Sequence, residues 1–469
     1  MSDAVVVVGG GLAGLAAALR LAEAGRRVEV LETRPRLGGR ATSFEDPRSG
    51  RILDNCQHVV LGCCTNLLDF YERIGVLDEI EWHRTFHWAN PPHEPDRLTM
   101  GWLPAPLHLA TSFLRQRRIT AAEKFRLASA ISAILRMGRS RRLREGDRTF
   151  LDVLSELGQT QREIEQFWSP IVASACNLDV DEAAASHALQ VIQEGFLAHP
   201  FAAAMGLAKG SLLSLYDPAR ERIEGAGGTI RTGVSVKSLA FDGRRVTGVV
   251  TDEGFVGAAS VVSAVPPDRL AKLCSQTLID ADRRLASLER IGFSPILGVH
   301  LFFERAFTDL PHLVLPGRGT QWIFMKGRDE TGRHHAHAVI SAAHSWMTLS
   351  EAEIASRVME DIRWAFPRRR IADPVEVRSV KEKRATFAVV PGIDRWRPSA
   401  RAGALGGVDN LFLAGDWCAT GWPATMEGAV RSGYAAAAAA LGEDAAAARV
   451  AIVDDLPTAR ISALAGLAR

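Results

Sequence analysis

The sequence predicts an α/β chain: a Rossmann-like dinucleotide-binding domain assembled from separated segments, carrying an inserted α+β substrate domain. Three observations predict it. A β-branched run, Val5-Val6-Val7-Val8, leads into Gly9-x-Gly11-x-x-Gly14 and an alanine- and leucine-rich helical stretch. A second strand, Arg27 to Leu31, ends on an acid, Glu32. Far downstream, the apolar run Leu411-Phe412-Leu413 opens a second glycine-rich block, Gly415-Asp416 through Gly428.

In the first block one glycine makes the tight turn, one lets backbone approach phosphate, and one lets helix pack on strand. Leu12 and Ala13 begin the helix, whose free N–H groups and positive dipole end face an anion. Gly25 marks the helix end. Glu32 follows Gly14 by 18 residues, near the spacing of about 20 expected for an acid that grips a ribose hydroxyl. Strand, helix and acid are therefore in register for a bound dinucleotide. The stretch Glu32-Thr33-Arg34-Pro35-Arg36-Leu37-Gly38-Gly39-Arg40 adds guanidinium groups suited to pyrophosphate oxygens. Arg40 and Arg34 are the candidates, and Gly39 allows close backbone approach.

These two blocks resemble the superfamily of FAD-dependent amine oxidases, protoporphyrinogen oxidases and phytoene-type desaturases, the GR2-type flavoproteins. The resemblance covers nearly the whole chain and is weakest in the middle. It implies FAD as cofactor, with Gly415 and Asp416 at its ribityl-phosphate region and a Val236 backbone contact to adenine. It also places Ala424, Thr425 and Met426 at a helix start facing the flavin ring, where a helix dipole favours the anionic reduced form. Cys418 is the only cysteine near this block, and non-covalent FAD is expected.

The dinucleotide domain is expected to be discontinuous: residues 1–80, 210–290 and 401–445. Residues 227–238 read as a strand after a helix. A hairpin turns at Asp242-Gly243-Arg244, and Ala259 to Pro266 is a buried strand. Residues 81–209 and 291–400 form the substrate domain. The first insert reads as mostly helical. The second reads as strands Leu297–Phe303, Gln321–Lys326 and His335–Ala342, then a helix around 350–366. Residues 446–469 are a C-terminal tail.

Two segments narrow the family. Leu53-Asp54-Asn55-Cys56-Gln57-His58 through Asn66, together with Gly415 to Gly433, resemble the hydroxysqualene dehydroxylases of hopanoid biosynthesis. The resemblance implies reductive chemistry: an allylic hydroxyl of a C30 isoprenoid alcohol leaves as water, hydride from reduced flavin replaces it, and squalene results. Such a reaction needs a proton donor and a dry cavity. His58 is the candidate donor, its unperturbed pKa lying close to neutrality, with Asp54, Asn55 or Gln57 as orienting neighbour. Trp417, Trp422 and Trp168 are candidate aromatic walls. Two alternatives stay open: an oxidative desaturase or amine oxidase of the same fold, and a non-catalytic FAD-binding lipid carrier. No second GxGxxG is visible for a nicotinamide, so the electron donor is unidentified.

Composition agrees with such a chain. Net charge is +2, which excludes a global nucleic-acid footprint. The six cysteines show no CxxC or disulfide-framework spacing and read as reduced thiols in a cytosolic protein. Residues 4–19 read as strand, loop and helix rather than a signal peptide, and Pro104 and Pro106 break the apolar run Leu98 to Leu114. In His334-His335-Ala336-His337 only two rings share a strand face, so no metal site is expected. Lys381-Glu382-Lys383-Arg384 reads as a solvated face. Arg115 to Arg144 carries ten Lys/Arg against the single acid Glu123. A Thr120/Glu123 capping box and an apolar stripe of Phe125, Leu127, Ala128, Ile131, Ile134 and Leu135 make it a basic amphipathic helix. It predicts peripheral docking to the inner membrane, with the apolar segment Phe86 to Leu114 beside it.

Overall fold

A computed structural model describes residues 4–403, 406–442 and 452–469. Its centre is a five-stranded, all-parallel sheet. In spatial order the strands are Thr229–Thr232, Val28–Glu32, Val5–Val8, Ser260–Ser263 and Leu411–Leu413. Strands from both ends of the chain and from its middle thus share one ladder. Val5–Val8 is apolar throughout because helices or loops cover both faces of a parallel sheet, and all four residues are buried.

The helix Leu12–Glu23 packs against the last long helix, Met426–Leu441. Small residues permit the approach. A Cβ on Gly433 would stand 2.3 Å from the Ala13 carbonyl oxygen, and one on Gly14 only 1.9 Å from that of Gly9. Between the third and fourth strands in sequence an antiparallel meander intervenes: Val236–Phe241, Val246–Thr251 and Gly254–Gly257.

The substrate region is built on a seven-stranded sheet. Its order is Glu376–Phe387, Phe293–Phe303, His334–Ile340, Trp322–Arg328, His312–Val314, Thr85–Trp88 and Asp96–Thr99. The helix Glu351–Ala365 covers it, with Ile354, Val358 and Ile362 buried. The expected strands at 297–303, 321–326 and 335–342 lie here. Glu376–Phe387 is an edge strand and corrects the solvated reading of 381–384 at half its residues: Lys383 and Arg384 are exposed, but Glu382 is half-buried and Lys381 donates to the Met347 (3.0 Å) and Leu349 carbonyls. The first insert also opens on strands, Ile80–His83, Thr85–Trp88 and Asp96–Thr99, before becoming helical.

Ala121–Arg144 is a helix with the expected capping box, kinked at Gly138 (φ 69°). Leu127, Ile134 and Leu135 are buried, whereas Phe125 is 77% exposed. The tail expected at 446–469 is described from residue 452; 446–451, and 443–445 before them, lie outside the described residues. Val453 N–H donates to Asn66 Oδ1 (2.8 Å), Ala459 N–H to the Ala198 carbonyl (2.8 Å), and Ser140 N–H to the Arg469 carbonyl (3.0 Å). The tail therefore ties the dinucleotide domain to the helices of the insert.

Histidines mark the interior of the large sheet. His335 and His337 share a face as strand periodicity requires, and His300 of the neighbouring strand completes a cluster that sequence spacing does not reveal. His300 Nδ1 lies 2.9 Å from His335 Nε2, its Nε2–H donates to the Asp54 carbonyl at 2.9 Å, and its ring stacks 3.9 Å from His337. Among the described residues no group of three His, Cys, Asp or Glu side chains has metal-holding geometry. Burial lowers His300 to about 4, and His335 and His312 to about 3. Since folded values lie below the unfolded one, the unfolded chain binds more protons as pH falls below about 6.5. Stability should therefore be full above that pH and decline on acidification towards pH 4, at up to about 1.4 kcal/mol per pH unit for each histidine. Chemical-denaturation midpoints at pH 7 and pH 5 check this; coincident midpoints would contradict it.

Candidate active site

The two glycine-rich blocks meet at the C-terminal edge of the parallel sheet. Gly9, Gly11, Leu12, Ala13, Glu32, Arg34, Gly39, Arg40 and Val236 line one end of a cavity of about 1090 Å³, and Gly415, Asp416, Ala424, Thr425 and Met426 continue it. Gly14 stands behind this wall in its packing role. Backbone forms the wall where phosphates would lie. Gly9 has φ 108°, and a Cβ on Gly39 would stand 2.9 Å from the Gly11 Cα. A groove walled by backbone on both sides fits a pyrophosphate and leaves no room for side chains.

Glu32 closes the strand Val28–Glu32 and turns its carboxylate onto the glycine loop. Oε2 accepts from Gly10 N–H at 2.7 Å and Oε1 from Arg34 N–H at 2.8 Å. Arg40 joins the blocks. Its guanidinium pairs with the Asp416 carboxylate and donates to the Ala385 carbonyl (3.2 Å), while its own carbonyl accepts from Asn55 Nδ2 at 2.6 Å.

The helix Met426–Leu441 starts where expected, with Thr425 as N-cap accepting from Gly428 N–H at 3.1 Å. Glu427 is fully buried at the edge of the cavity and turns its carboxylate onto a neighbouring helix. It accepts from Asn66 N–H (3.2 Å) and Leu67 N–H (2.8 Å), satisfying the start of the helix Thr65–Arg73. Burial raises its carboxyl, opposed by Arg431 at 2.6 Å. Arg397 carried no signal in the sequence. Its side chain is fully buried, and Nη2 donates to the carbonyls of Asp416 (3.1 Å), Cys418 (2.6 Å) and Trp422 (2.8 Å), clamping the loop of the second block.

Beyond the groove the cavity turns apolar. Phe86, Phe196, Trp322 and Phe324 form a contiguous aromatic wall: Trp322 and Phe324 stack at 5.4 Å, and Phe86 meets Phe196 and Trp322 each at 6.4 Å. Trp168, Trp417 and Trp422 also touch the cavity. Trp168 and Trp417 anchor their indole N–H groups, on Gln159 Oε1 (2.9 Å) and the Val265 carbonyl (3.2 Å). Two π-helical turns, Ile164–Trp168 and Gln193–Leu197, bulge against the same space, as such turns often do at functional sites.

His58 and Gln57 line the cavity, but Asp54 does not. The Asp54 carboxylate instead accepts from Ser43 Oγ (2.7 Å) and Leu212 N–H (3.1 Å), with Lys326 Nζ at 3.5 Å. Nor do Asn55 or Gln57 orient the imidazole. Gln57 donates to the His58 carbonyl and accepts from Lys326 (3.1 Å). His58 Nδ1 lies 3.0 Å from the Cys56 carbonyl; a carbonyl only accepts, so Nδ1 carries the proton and the neutral ring presents Nε2 as an acceptor. Burial lowers the His58 pKa, which keeps the ring neutral.

With this geometry in place, comparison with known proteins is decisive at the family level. The model for flavin containing amine oxidoreductases matches residues 12–441. The chain belongs to that family. It is similar to the 15-cis-phytoene desaturase of Synechococcus elongatus, at 24% identity over 92% of this chain and 94% of the relative. The hydroxysqualene dehydroxylase of Sinorhizobium fredii is 27% identical over 94% of this chain and 99% of the relative. A solved oxidoreductase from Methanosarcina mazei shares the fold, with TM-score 0.71 and 19% identity over 92% of this chain and 98% of that structure. This flavin amine oxidoreductase is thus an FAD-dependent oxidoreductase, and the glycine-walled groove fits that cofactor.

Replacing Glu32 by Ala frees the Gly10 and Arg34 N–H groups and removes the acid that the sequence leads one to expect at the ribose. FAD retention should weaken by on the order of 1–3 kcal/mol. Equilibrium dialysis against free FAD measures the change, and unaltered retention would assign Glu32 to the loop alone.

Proposed function

We propose that this oxidoreductase removes an allylic hydroxyl from a C30 isoprenoid alcohol of the hydroxysqualene type, yielding squalene. The observation carrying this reading is the division of the cavity. A long apolar arm with aromatic walls suits a polyprenyl chain, and a small set of polar groups, Asn55, Gln57, His58 and Glu382, gathers at its nucleotide end. Asn55 and Gln57 already have protein partners, but His58 Nε2 and the Glu382 carboxylate would be met by an alcohol oxygen and not by a pure hydrocarbon. Buried polar groups without partners are costly, so their presence favours an oxygenated substrate. Likeness to hydroxysqualene dehydroxylases, at 26% and 27% identity, supports the same class.

In this reading the groove from Gly9 to Met426 holds FAD, and bound reduced flavin supplies a hydride. The protein's own contribution is to exclude water through the aromatic wall, to hold the alcohol at His58 Nε2, and to provide the leaving oxygen with a proton. The second reading, an isoprenoid desaturase, has the likeness to phytoene desaturases in its favour; hydride then flows to the flavin. Anaerobic mixing separates the two. Reduced enzyme should be reoxidised by hydroxysqualene with squalene identified by mass spectrometry, whereas oxidised enzyme bleached by phytoene would favour the desaturase.

We propose further that the cavity loads from an anionic lipid surface on the cytoplasmic face of the inner membrane. Trp102 (90%), Leu114 (66%) and Phe125 (77%) are exposed, and Leu107 (44%) both faces outwards and lines the cavity. Gly101 N–H bonds the His108 carbonyl (2.7 Å), and Lys124 Nζ bonds that of Leu114 (2.8 Å), which ties the neighbours of these exposed residues together. Exposed Arg115 and Arg117 follow Leu114 directly in the chain. No described helix is long and apolar enough to cross a membrane. The structure narrows the basic helix expected from sequence. Arg139 and Arg142 are tied to Glu194, and Arg118 is buried against Gln166 and Trp88. Likewise Phe86 and Leu98 face the core, so the outward apolar patch begins at Trp102. Reversing Arg115 and Arg117 to Glu should weaken binding to phosphatidylserine vesicles by about 1 kcal/mol each, and Trp102→Ala with Phe125→Ala should weaken it further. Unchanged co-sedimentation at low salt would dismiss the surface.

A further inference from the structure

Six carboxylates face the cavity: Glu32, Glu194, Asp268, Glu382, Asp416 and Glu427. Five are engaged. Glu32 accepts two backbone N–H groups, and Glu194, Asp268, Asp416 and Glu427 each pair with an arginine. Among the described residues the Glu382 carboxylate alone of the six has neither hydrogen bond nor ion pair.

It closes the regular part of its strand, opposite Ile296 on the same wall and next to a bulge. The strand Glu376–Phe387 pairs regularly with Phe293–Phe303 as far as Ile296↔Glu382, and the register then jumps to Ser294↔Thr386. An advance of four residues on one strand matches two on the other. A regular strand presents alternate side chains to one face, but a bulge re-aims them, and here Glu382, Arg384, Ala385 and Thr386 all line the cavity. The bulge is held from both sides. Ala385 accepts from Arg40 at the dinucleotide groove, and Thr386 Oγ1 accepts from Asn177 Nδ2 at 2.8 Å.

Glu382 and His58 also address the same end. Strand Phe293–Phe303 runs against the 55–56 loop, since a Cβ on Gly298 would stand 3.1 Å from the Asn55 carbonyl and 3.6 Å from the Cys56 Cα. Burial, helped by Asp54 and Glu382, pushes the Cys56 thiol up to about 12. The imidazole hangs on the carbonyl of that cysteine.

We propose that Glu382 is the catalytic acid of the cavity: it meets the substrate's allylic hydroxyl and gives it the proton with which it departs as water. This rests on the dehydroxylation reading and deepens it. The Glu382 O–H bond breaks as a new O–H bond forms on the substrate oxygen, and the C–O pair leaves with that oxygen as water. The vacated carbon takes the hydride that bound reduced flavin contributes, and the carboxylate regains its proton from solvent. His58, neutral and offering Nε2, orients the hydroxyl by accepting its hydrogen bond.

The test uses the full-length FAD-loaded protein and the variants Glu382→Gln, Glu382→Asp and Glu382→Ala, with FAD content reporting integrity. In single turnover of reduced enzyme with hydroxysqualene, Glu382→Gln should slow squalene formation by roughly 10²–10⁴-fold, and Glu382→Asp should recover much of it. Binding to the oxidised enzyme, read from flavin absorbance without turnover, should favour hydroxysqualene over squalene, and Glu382→Ala should cut that preference by about tenfold or more. Native-like turnover by Glu382→Gln, or an undiminished alcohol preference in Glu382→Ala, overturns the inference alone. Native enzyme that forms no squalene overturns the dehydroxylation reading and the inference with it.

Discussion

Arg40 is the point on which the site depends. Its guanidinium pairs with Asp416, 376 residues away, and reaches the carbonyl of Ala385 in the bulged strand; its carbonyl is held by Asn55. One side chain therefore ties the first glycine block, the second glycine block, the floor of the cavity and the substrate sheet. Arginine suits this because a planar fork can satisfy two acceptors in different directions while keeping its charge. Arg397 does the complementary work, spending one buried nitrogen on three carbonyls of the loop that carries Asp416.

Around that junction, regular structure supplies rigidity and irregular structure supplies chemistry. The parallel sheet and the close pair of helices, Leu12–Glu23 and Met426–Leu441, fix the groove to within the tolerance of a glycine Cα. The cavity is shaped by departures from regularity: the bulge at 382–386 and the π-helical turns at 164–168 and 193–197. Each places more side chains on the wall than an ideal strand or helix could. The carboxylates of the wall follow the same economy, since all but Glu382 are consumed in holding backbone or arginine.

The basic stretch 115–144 shows how a charge count divides once folded. Arg139 and Arg142 share Glu194, a cavity-wall acid, and Arg118 stacks over Trp88. All three are internal supports, and losing Arg139 and Arg142 together would leave the buried Glu194 carboxylate unpaired. Arg115 and Arg117 remain outside, next to Trp102, Leu107 and Leu114. The apolar stripe divides similarly, with Leu127, Ile134 and Leu135 in the core and Phe125 outside. An amphipathic pattern identifies two faces but not which neighbour each one meets.

The sequence by itself determined the dinucleotide groove. Gly9, Gly11, Gly14, Glu32 and the Gly415-Asp416 block lie in local units whose geometry follows from backbone freedom and strand–helix alternation, so short-range pattern was enough. It also showed the capping box at Thr120 and the shared face of His335 and His337. Tertiary structure alone decided the rest. That His300 joins those two rings, that Arg397 clamps the loop of the second block, and that Glu427 serves another helix are all contacts between separate segments of the chain. Lys381 to Arg384 is the sharpest case: a run of charges reads as solvated because its neighbours are polar, yet pairing with Ile296, itself on the cavity wall, sets Glu382 at the cavity. Register is a property of two strands together, and neither strand encodes it alone.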